Sequence, residues 1–332
     1  MVRVEGETMR AARRTMLHET EAELVIERRD DVADGVVALT LAHPAGDELP
    51  GWTPGAHVDL LLGDGLVRQY SLCSSPVDRG RWRIGVLLAP DTRGGSKFVH
   101  EKLLDGERVR VRGPRNHFPI VSAPRYQFIA GGIGITPILP MIEAVAGGGA
   151  DWSLLYGGRR RESMAFLDEL AAYGDNVTLW PQDEQGMLDL DSVLGAPVED
   201  TLVYCCGPEA LLDAVEERCA SWPPGSLHIE RFAPKAVEAA PDALETFEVV
   251  CQRSGITVTI PEGESILETL EEEGVDVFGS CYEGTCGTCQ TAVIEGVPDH
   301  RDSVLTDAEK ATGEVMMICV SRSCSQRLVL DA

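Results

Sequence analysis

Cys281-Tyr282-Glu283-Gly284-Thr285-Cys286-Gly287-Thr288-Cys289, followed after 29 intervening residues by Cys319, decides the reading of this chain. The spacing C-x4-C-x2-C with a distant fourth Cys is the one that ligates plant-type two-iron, two-sulfur clusters. Such a cluster needs four converging thiolates and a backbone that wraps it and aims N–H groups at its sulfurs. Gly284 and Gly287 suit the wrapping, because glycine takes positive φ and lets backbone come close. Zinc is the competing ligand, but it favours paired C-x2-C units or added His, and this chain has one C-x2-C with His300 far along. Disulfides imply an oxidising compartment, yet residues 1–20 carry Arg3, Arg10, Arg13 and Arg14 and no apolar stretch of a secretory signal. Cys324, five residues past Cys319, rivals it as fourth ligand. Cys73, Cys205, Cys206, Cys219 and Cys251 read as small buried hydrophobes.

The chain has 332 residues, room for two or three domains, with 44% hydrophobic and 25% charged residues, as in globular proteins. A net charge of −25 excludes a nucleic-acid partner. From Val237 onward there are 19 acidic and 5 basic residues, a net of −14. That reads either as a solvated surface or as a negative docking face for a redox partner. Phe128 to Ala150 carries one charge, Glu143, but Gly131, Gly132, Gly134, Pro137, Pro140 and Gly147–Gly149 punctuate it as strand, loop and short helix. No membrane span is expected, and the reading is a cytoplasmic monomer.

Residues 1–20 are expected as a loose arm. Between 21 and 122, short alternating segments (Glu23–Ile26, Val36–Leu41, His57–Leu62, Val67–Leu72, Trp82–Leu88, Arg108–Val111) predict an antiparallel β-barrel. Between 123 and 233, apolar runs (Gln127–Ala130, Trp152–Tyr156, Val177–Trp180, Thr201–Cys205, Leu227–Ile229) alternate with helical patterns at Met164–Leu170 and Glu209–Cys219. That alternation predicts an α/β unit on a parallel sheet. Residues 234–245 read as a linker. Residues 246–332 predict an α+β unit of the β-grasp type: strands Thr246–Cys251 and Thr257–Ile260, a helix from Ser265 to Glu273 with a Ser265/Glu268 capping box, then the Cys loop.

The first unit contains Arg68-Gln69-Tyr70-Ser71-Leu72 and, before a helical stretch at Lys97–Leu104, Arg93-Gly94-Gly95-Ser96. Two glycines feeding a helix N-terminus expose free N–H groups, and Arg93, Arg68 and Ser96 complete a candidate phosphate cradle. The second unit opens with Gly131-Gly132-Ile133-Gly134-Ile135-Thr136-Pro137 after a strand, a glycine loop able to approach a pyrophosphate. Tyr204-Cys205-Cys206-Gly207-Pro208 later ends a strand and starts a helix.

With these segments the chain, from about residue 20 to 332, resembles the phthalate dioxygenase reductase and vanillate demethylase reductase family. This family lies in the ferredoxin–NADP+ reductase superfamily and adds a C-terminal plant-type ferredoxin. The resemblance implies FMN, with FAD as the alternative, held in the R-x-Y-S-L segment that ends at Leu72. It implies that Arg68 and Ser96 contact the flavin phosphate, with Arg93, Gly94 and Gly95 supporting it. Tyr70 packs by the ribityl chain and ring, and Ser71 lies near the reactive edge. Gly132, Gly134, Thr136 and Pro137 face the dinucleotide, with Thr136 near the nicotinamide. Cys206, with Gly207 and Pro208, takes the place of the family's nicotinamide-side Cys. Phe232 covers the flavin face, its bland reading being a strand-end core aromatic. Cys281, Cys286, Cys289 and Cys319 hold the [2Fe–2S] cluster.

Arg159, Arg160 and Arg161 follow one strand, and Asp183 and Glu184 follow the next. Carboxylates there repel a 2′-phosphate and accept from ribose hydroxyls, so NADH is favoured over NADPH, with Arg159 near the diphosphate. Hydride donor, flavin and one-electron cluster form a consistent relay. The implied function is an NADH-dependent reductase feeding a terminal oxygenase, a Rieske non-haem iron enzyme first and a cytochrome P450 second. A non-catalytic flavin and iron–sulfur redox sensor is the alternative.

Overall fold

Six antiparallel strands form the first sheet, in the order β4-β3-β6-β1-β2-β5. They are β1 (Glu21–Ala33), β2 (Val36–Ala42), β3 (Ala56–Leu61), β4 (Val67–Ser71), β5 (Arg81–Leu87) and β6 (Arg108–Asn116). A bridge between Leu72 and Ile84 joins the two edges and closes the sheet as a barrel. Closure removes unpaired edges and encloses a core of Leu24, Ile26, Leu39, Val58, Leu60 and Val111. These coordinates come from a computed structural model and describe residues 20–63, 65–89, 94–235 and 239–332. The arm at 1–19 and Arg93 lie outside the described residues.

Two barrel strands are longer than their sequence patterns. β1 continues through Glu27–Asp31 because register shifts at Ile26/Arg28 and Asp31/Ala33 break the in–out alternation that marks a strand. β6 continues past Gly113 and Pro114, opposite a register shift between His57 and Asp59. A shifted ladder tolerates a residue without an N–H.

Five parallel strands build the second sheet, β11-β10-β7-β8-β9: β7 (Arg125–Gly131), β8 (Asp151–Gly158), β9 (Val177–Pro181), β10 (Thr201–Cys206) and β11 (Leu227–Glu230). The barrel's helix is α1 (Gly95–Lys102). α2 (Ile135–Gly148) and α3 (Glu209–Cys219) cover the parallel sheet. α2 is the apolar stretch noted in the sequence, and it is buried in the core. Among the described residues no helix is long and apolar enough to cross a membrane.

The expected helix at Met164–Leu170 shrinks to Leu167–Leu170. Met164, Ala165 and Phe166 are instead buried in a core that barrel and sheet share, with Phe166 at φ 62. There the Phe166 ring packs against Gly85 of β5, and the Arg83 guanidinium lies 4.9 Å from its centroid. Arg83 also grips Glu169 through two hydrogen bonds of 2.7 Å. Barrel and parallel sheet are therefore joined by packing, which fixes any site between them.

The third sheet is mixed, in the order β13-β12-β18-β14-β16. Its strands are β12 (Phe247–Cys251), β13 (Thr257–Ile260), β14 (Gln290–Glu295), β16 (Val315–Met317) and β18 (Arg327–Leu330), with β15 (Pro298–Asp299) and β17 (Arg322–Ser323) pairing separately. α4 (Ile266–Glu272) lays Ile266, Leu267 and Leu270 across a core of its own, and α5 (Asp307–Thr312) follows on the surface. Ser265 caps α4 by accepting from the Glu268 N–H at 3.1 Å. The reciprocal half of the expected capping box differs: the Glu268 carboxylate accepts from the Ser265 hydroxyl rather than from its backbone N–H. The expected linker also lies on this unit, through Lys235 N–H to Ser303 and Ala240 N–H to Asp299.

Candidate functional site

β4 carries the Arg68–Ser71 segment along the barrel beside α1. Gly94, at φ 91, turns the chain so that α1 begins opposite Arg68. Gly95 has no room for a side chain: a Cβ there would sit 2.4 Å from Arg68 Cγ. A guanidinium beside a helix N-terminus is the kind of place where a phosphate is held. Ser96 at the same turn accepts from Ala89 N–H at 3.2 Å. Tyr70 is mostly enclosed, and burial pushes its phenol up to about 12, so it stays neutral. Leu72 is fully buried and takes part in barrel closure.

On the parallel sheet, two loops meet at the carboxyl ends of β7 and β10. A Cβ on Gly134 would lie 2.2 Å from the Cys206 carbonyl oxygen, and one on Gly207 would lie 3.1 Å from Gly131 Cα. Gly132 takes φ 54 at this turn. These glycines let the two loops pack backbone to backbone at the sheet edge where dinucleotides bind in such folds. Thr136 and Pro137 are buried in the first turns of α2. The Thr136 hydroxyl donates to Ile133 O at 2.9 Å, and a Cβ on Gly85 would fall 2.8 Å from its methyl. Pro208 begins the turn into α3. Asp183 N–H donates to Arg159 O at 3.2 Å, so these two residues meet at the adjoining ends of β8 and β9, with Arg161 and Glu184 3.9 Å apart beside them.

Barrel and sheet converge at Glu230, a residue the sequence reading passed over. β11 pairs with β10 so that Glu230 stands next to Cys206. From the barrel side the Ser71 hydroxyl donates to Glu230 Oε2 at 3.4 Å. Burial pushes the Glu230 carboxyl up to about 8, opposed by the Ser71 hydrogen bond, so it is mostly protonated near neutral pH. Burial, then the Glu230 charge, drives the Cys206 thiol well above its usual value. Cys205 points into the apolar cluster with Ile129, Leu155 and Val215. Two residues beyond Glu230, Phe232 is 45% exposed, which departs from a core aromatic and leaves its ring free for a planar ligand. A lone Glu on a short strand has no sequence signal. Only the register of β11 on β10 places it beside Cys206.

An open cleft of about 580 Å³ lies elsewhere on the barrel–sheet seam, lined by Cys73, Arg83, Glu143 and Glu169 among others. None of the sequence-predicted residues lines it, and the chemistry above lies outside it.

In the third unit, the Cys281 sulfur has Cys286 and Cys319 as neighbours, and Cys289 has Cys319. The four sulfurs thus converge through these shared neighbours. Among the described residues no three His, Cys, Asp or Glu side chains surround a single-ion position. Hydrogen bonds from Cys286 and Cys319 hold the Cys281 thiol far below its usual range. Backbone N–H groups of Glu283 and Thr285 point at its sulfur, at 3.3 and 3.5 Å, and that of Thr288 at Cys286. Tyr282, Gly284 and Gly287, at φ 55, 69 and 71, make the wrap. Cys324 stands apart, beside Asp242.

Residues 249–324 match the family model of the 2Fe-2S iron-sulfur cluster binding domain, and residues 128–217 that of the oxidoreductase NAD-binding domain. The chain is similar to a phenoxybenzoate dioxygenase subunit beta of Ectopseudomonas oleovorans, at 46% identity over 301 residues, covering 90% of this chain and 93% of that protein. The crystal structure of an intact type IV self-sufficient cytochrome P450 monooxygenase superposes with TM-score 0.88 and 42% identity, over 94% of this chain and 41% of that one. This chain thus spans about two fifths of that protein. A phthalate dioxygenase reductase structure superposes with TM-score 0.68 and 37% identity, over 94% of this chain and 98% of the other. With barrel, parallel sheet and cluster loop in the same order, the chain belongs to the phthalate dioxygenase reductase family.

Proposed function

We infer that this protein is an oxidoreductase that carries electrons from NADH through a flavin and a [2Fe–2S] cluster to a terminal oxygenase. The observation that supports it most is the meeting of Ser71, Glu230 and Cys206, where the barrel's flavin motif and the sheet's nicotinamide loop share one spot. When bound, the flavin takes hydride from NADH and yields its electrons singly to the cluster.

The protein's own work is binding and placement. Residues 21–122, 123–233 and 246–332 are the three working units, joined by 234–245. Arg68, Gly94, Gly95 and Ser96 bind the phosphate of FMN, and Tyr70 lines the ring. The R-G-G-S loop before α1 is similar to the family's FMN-type loop, which favours FMN over FAD. Gly132, Gly134, Thr136 and Pro137 shape the loop that admits the dinucleotide, and Cys206-Gly207-Pro208 forms its opposite wall. The Cys206 thiol, kept neutral, packs without repelling a nicotinamide. Glu230 holds a proton next to Ser71, and Phe232 shields the flavin face until the nicotinamide arrives. Arg159 and Asp183 receive the diphosphate and the ribose of NADH.

The acceptor is a Rieske-type oxygenase, and the protein works as a monomer. The acidic surface after Val237 suits a basic docking face, so coupling to the acceptor weakens as salt rises. A cytochrome P450 acceptor is the second reading, and the fused P450 relative favours it. Stopped-flow mixing with NADH tests the proposal. Flavin bleaching followed by cluster bleaching is expected, and an unchanged flavin spectrum would refute it. Turnover with a purified Rieske oxygenase against a P450 separates the two acceptors.

A further inference from the structure

The cluster loop is seated on the barrel by a small set of residues that the relay does not otherwise use. Asp59 on β3 is fully buried and spends both oxygens. Oδ1 accepts from Arg115 of β6, and Oδ2 accepts from the Ser280 hydroxyl at 2.5 Å. Ser280 directly precedes the first cluster cysteine. At the other end of the loop, Gly287 presses on His117, where a Cβ would come within 2.6 Å of the imidazole. His117 is held in turn. Its ring stacks on buried His57 with centroids 5.8 Å apart. Its neighbours Asn116 and Phe118 are tied down by the Asn116 hydrogen bonds to Thr53 and Pro54 and by the burial of Phe118.

The seat also has a definite place in the barrel. β3 pairs with β4 so that His57 faces Ser71 and Asp59 faces Gln69. The loop therefore rests on the strand paired to the one that carries the segment assigned to the flavin, and paired strands lie about 4.8 Å apart. A buried carboxylate with a guanidinium on one oxygen and a hydroxyl on the other is a directional anchor rather than a general adhesive. Such an anchor costs desolvation, and a surface contact between two units has no need of it.

We propose that Asp59 with Arg115, and His117 with His57, form a socket that fixes the cluster loop through Ser280 and Gly287, and that this socket sets the rate of flavin-to-cluster electron transfer. These are positioning residues, and no bond to them forms or breaks. The inference rests on the relay proposed above.

The test uses the full chain with its cofactors and compares wild type with Ser280→Ala, Ser280→Thr and Asp59→Asn. After mixing with NADH, flavin bleaching keeps its wild-type rate in Ser280→Ala, while the cluster phase slows by on the order of tenfold or more, as expected for a misplaced donor and acceptor. Ser280→Thr, which keeps the hydroxyl, recovers the cluster phase. Hydrogen exchange of residues 280–289 speeds up in Ser280→Ala with cluster absorbance unchanged. Asp59→Asn behaves like Ser280→Ala; if burying Arg115 without its carboxylate partner unfolds the barrel, Ser280→Ala carries the test alone. An unaltered cluster phase with unaltered exchange in Ser280→Ala overturns the socket. So does loss of the cluster, or equal slowing of both phases. Failure of the wild type to bleach its flavin sinks the relay instead, and the exchange readout still reports on the socket.

Discussion

At the scale of single residues, Glu230 carries the most distinctive expectation. Its carboxyl is pushed up to about 8 by burial, with the Ser71 hydroxyl pulling the other way. A carboxyl with a raised folded pKa keeps its proton in the native state after the unfolded chain has released it. Its contribution to stability is therefore complete below the unfolded value near 4.5 and is lost as pH climbs through about 8. Glu230→Gln removes that slope. Thermal melts across pH ~5 to ~9 are expected to show the wild type falling by a few degrees relative to the variant as pH rises. Parallel curves for the two proteins would mean that Glu230 is ordinarily ionised. The residue also shows where sequence reading stops. Arg68, Cys206 and the four cluster cysteines stand in recurring spacings that mark them in the sequence; Arg68 lies against Gly95, Cys206 beside Glu230, and the cysteines against one another. Glu230 acquires its character only from the register of β10 with β11 and from a hydroxyl 159 positions away in sequence.

At the scale of elements, the proposed choice of dinucleotide rests on the strand ends of the parallel sheet. Asp183 begins the turn after β9 and is tied by its N–H to Arg159 O at the end of β8. An acidic side chain at that edge accepts from ribose hydroxyls and repels a 2′-phosphate. Asp183→Arg is expected to raise the NADPH-to-NADH ratio of kcat/KM by about tenfold, the worth of one charge-assisted hydrogen bond of ~1.4 kcal/mol. Steady-state kinetics with both nucleotides measure it, and an unchanged ratio would remove Asp183 from the site. Elements were legible wherever one period ran unbroken. Glu209–Cys219 and Thr257–Ile260 have the expected bounds. β1 was cut short in the reading because its bulges scramble the alternation. The helix at Met164–Leu170 was overdrawn because its apolar residues answer to the core shared with the barrel rather than to a helix face. Local pattern reports local structure, and contacts made by the far end of the chain override it.

At the scale of the whole molecule, the cores divide unevenly. Barrel and parallel sheet share one apolar cluster running from Val36, Cys73 and Phe118 to Phe128, Met164 and Phe166. The third unit closes its own around Phe247, Ile266, Met316 and Leu328. Metal binding supplies folding energy to the unit that holds the ligands. Losing one thiolate should therefore loosen the third unit and leave the other two intact. Cys286→Ser is expected to abolish the visible absorbance of the cluster and to stop electron delivery to one-electron acceptors that depend on it. The rate at which NADH bleaches the flavin should remain that of the wild type. In a calorimetric scan the transition belonging to the third unit should move to lower temperature while the other stays in place. If flavin reduction disappeared together with the cluster, the first two units would have to depend on the third for their packing. The separate core around Ile266 and Leu328 argues against that dependence, because the third unit closes its own apolar cluster while the cluster loop meets the barrel through contacts such as those at Ser280 and Gly287.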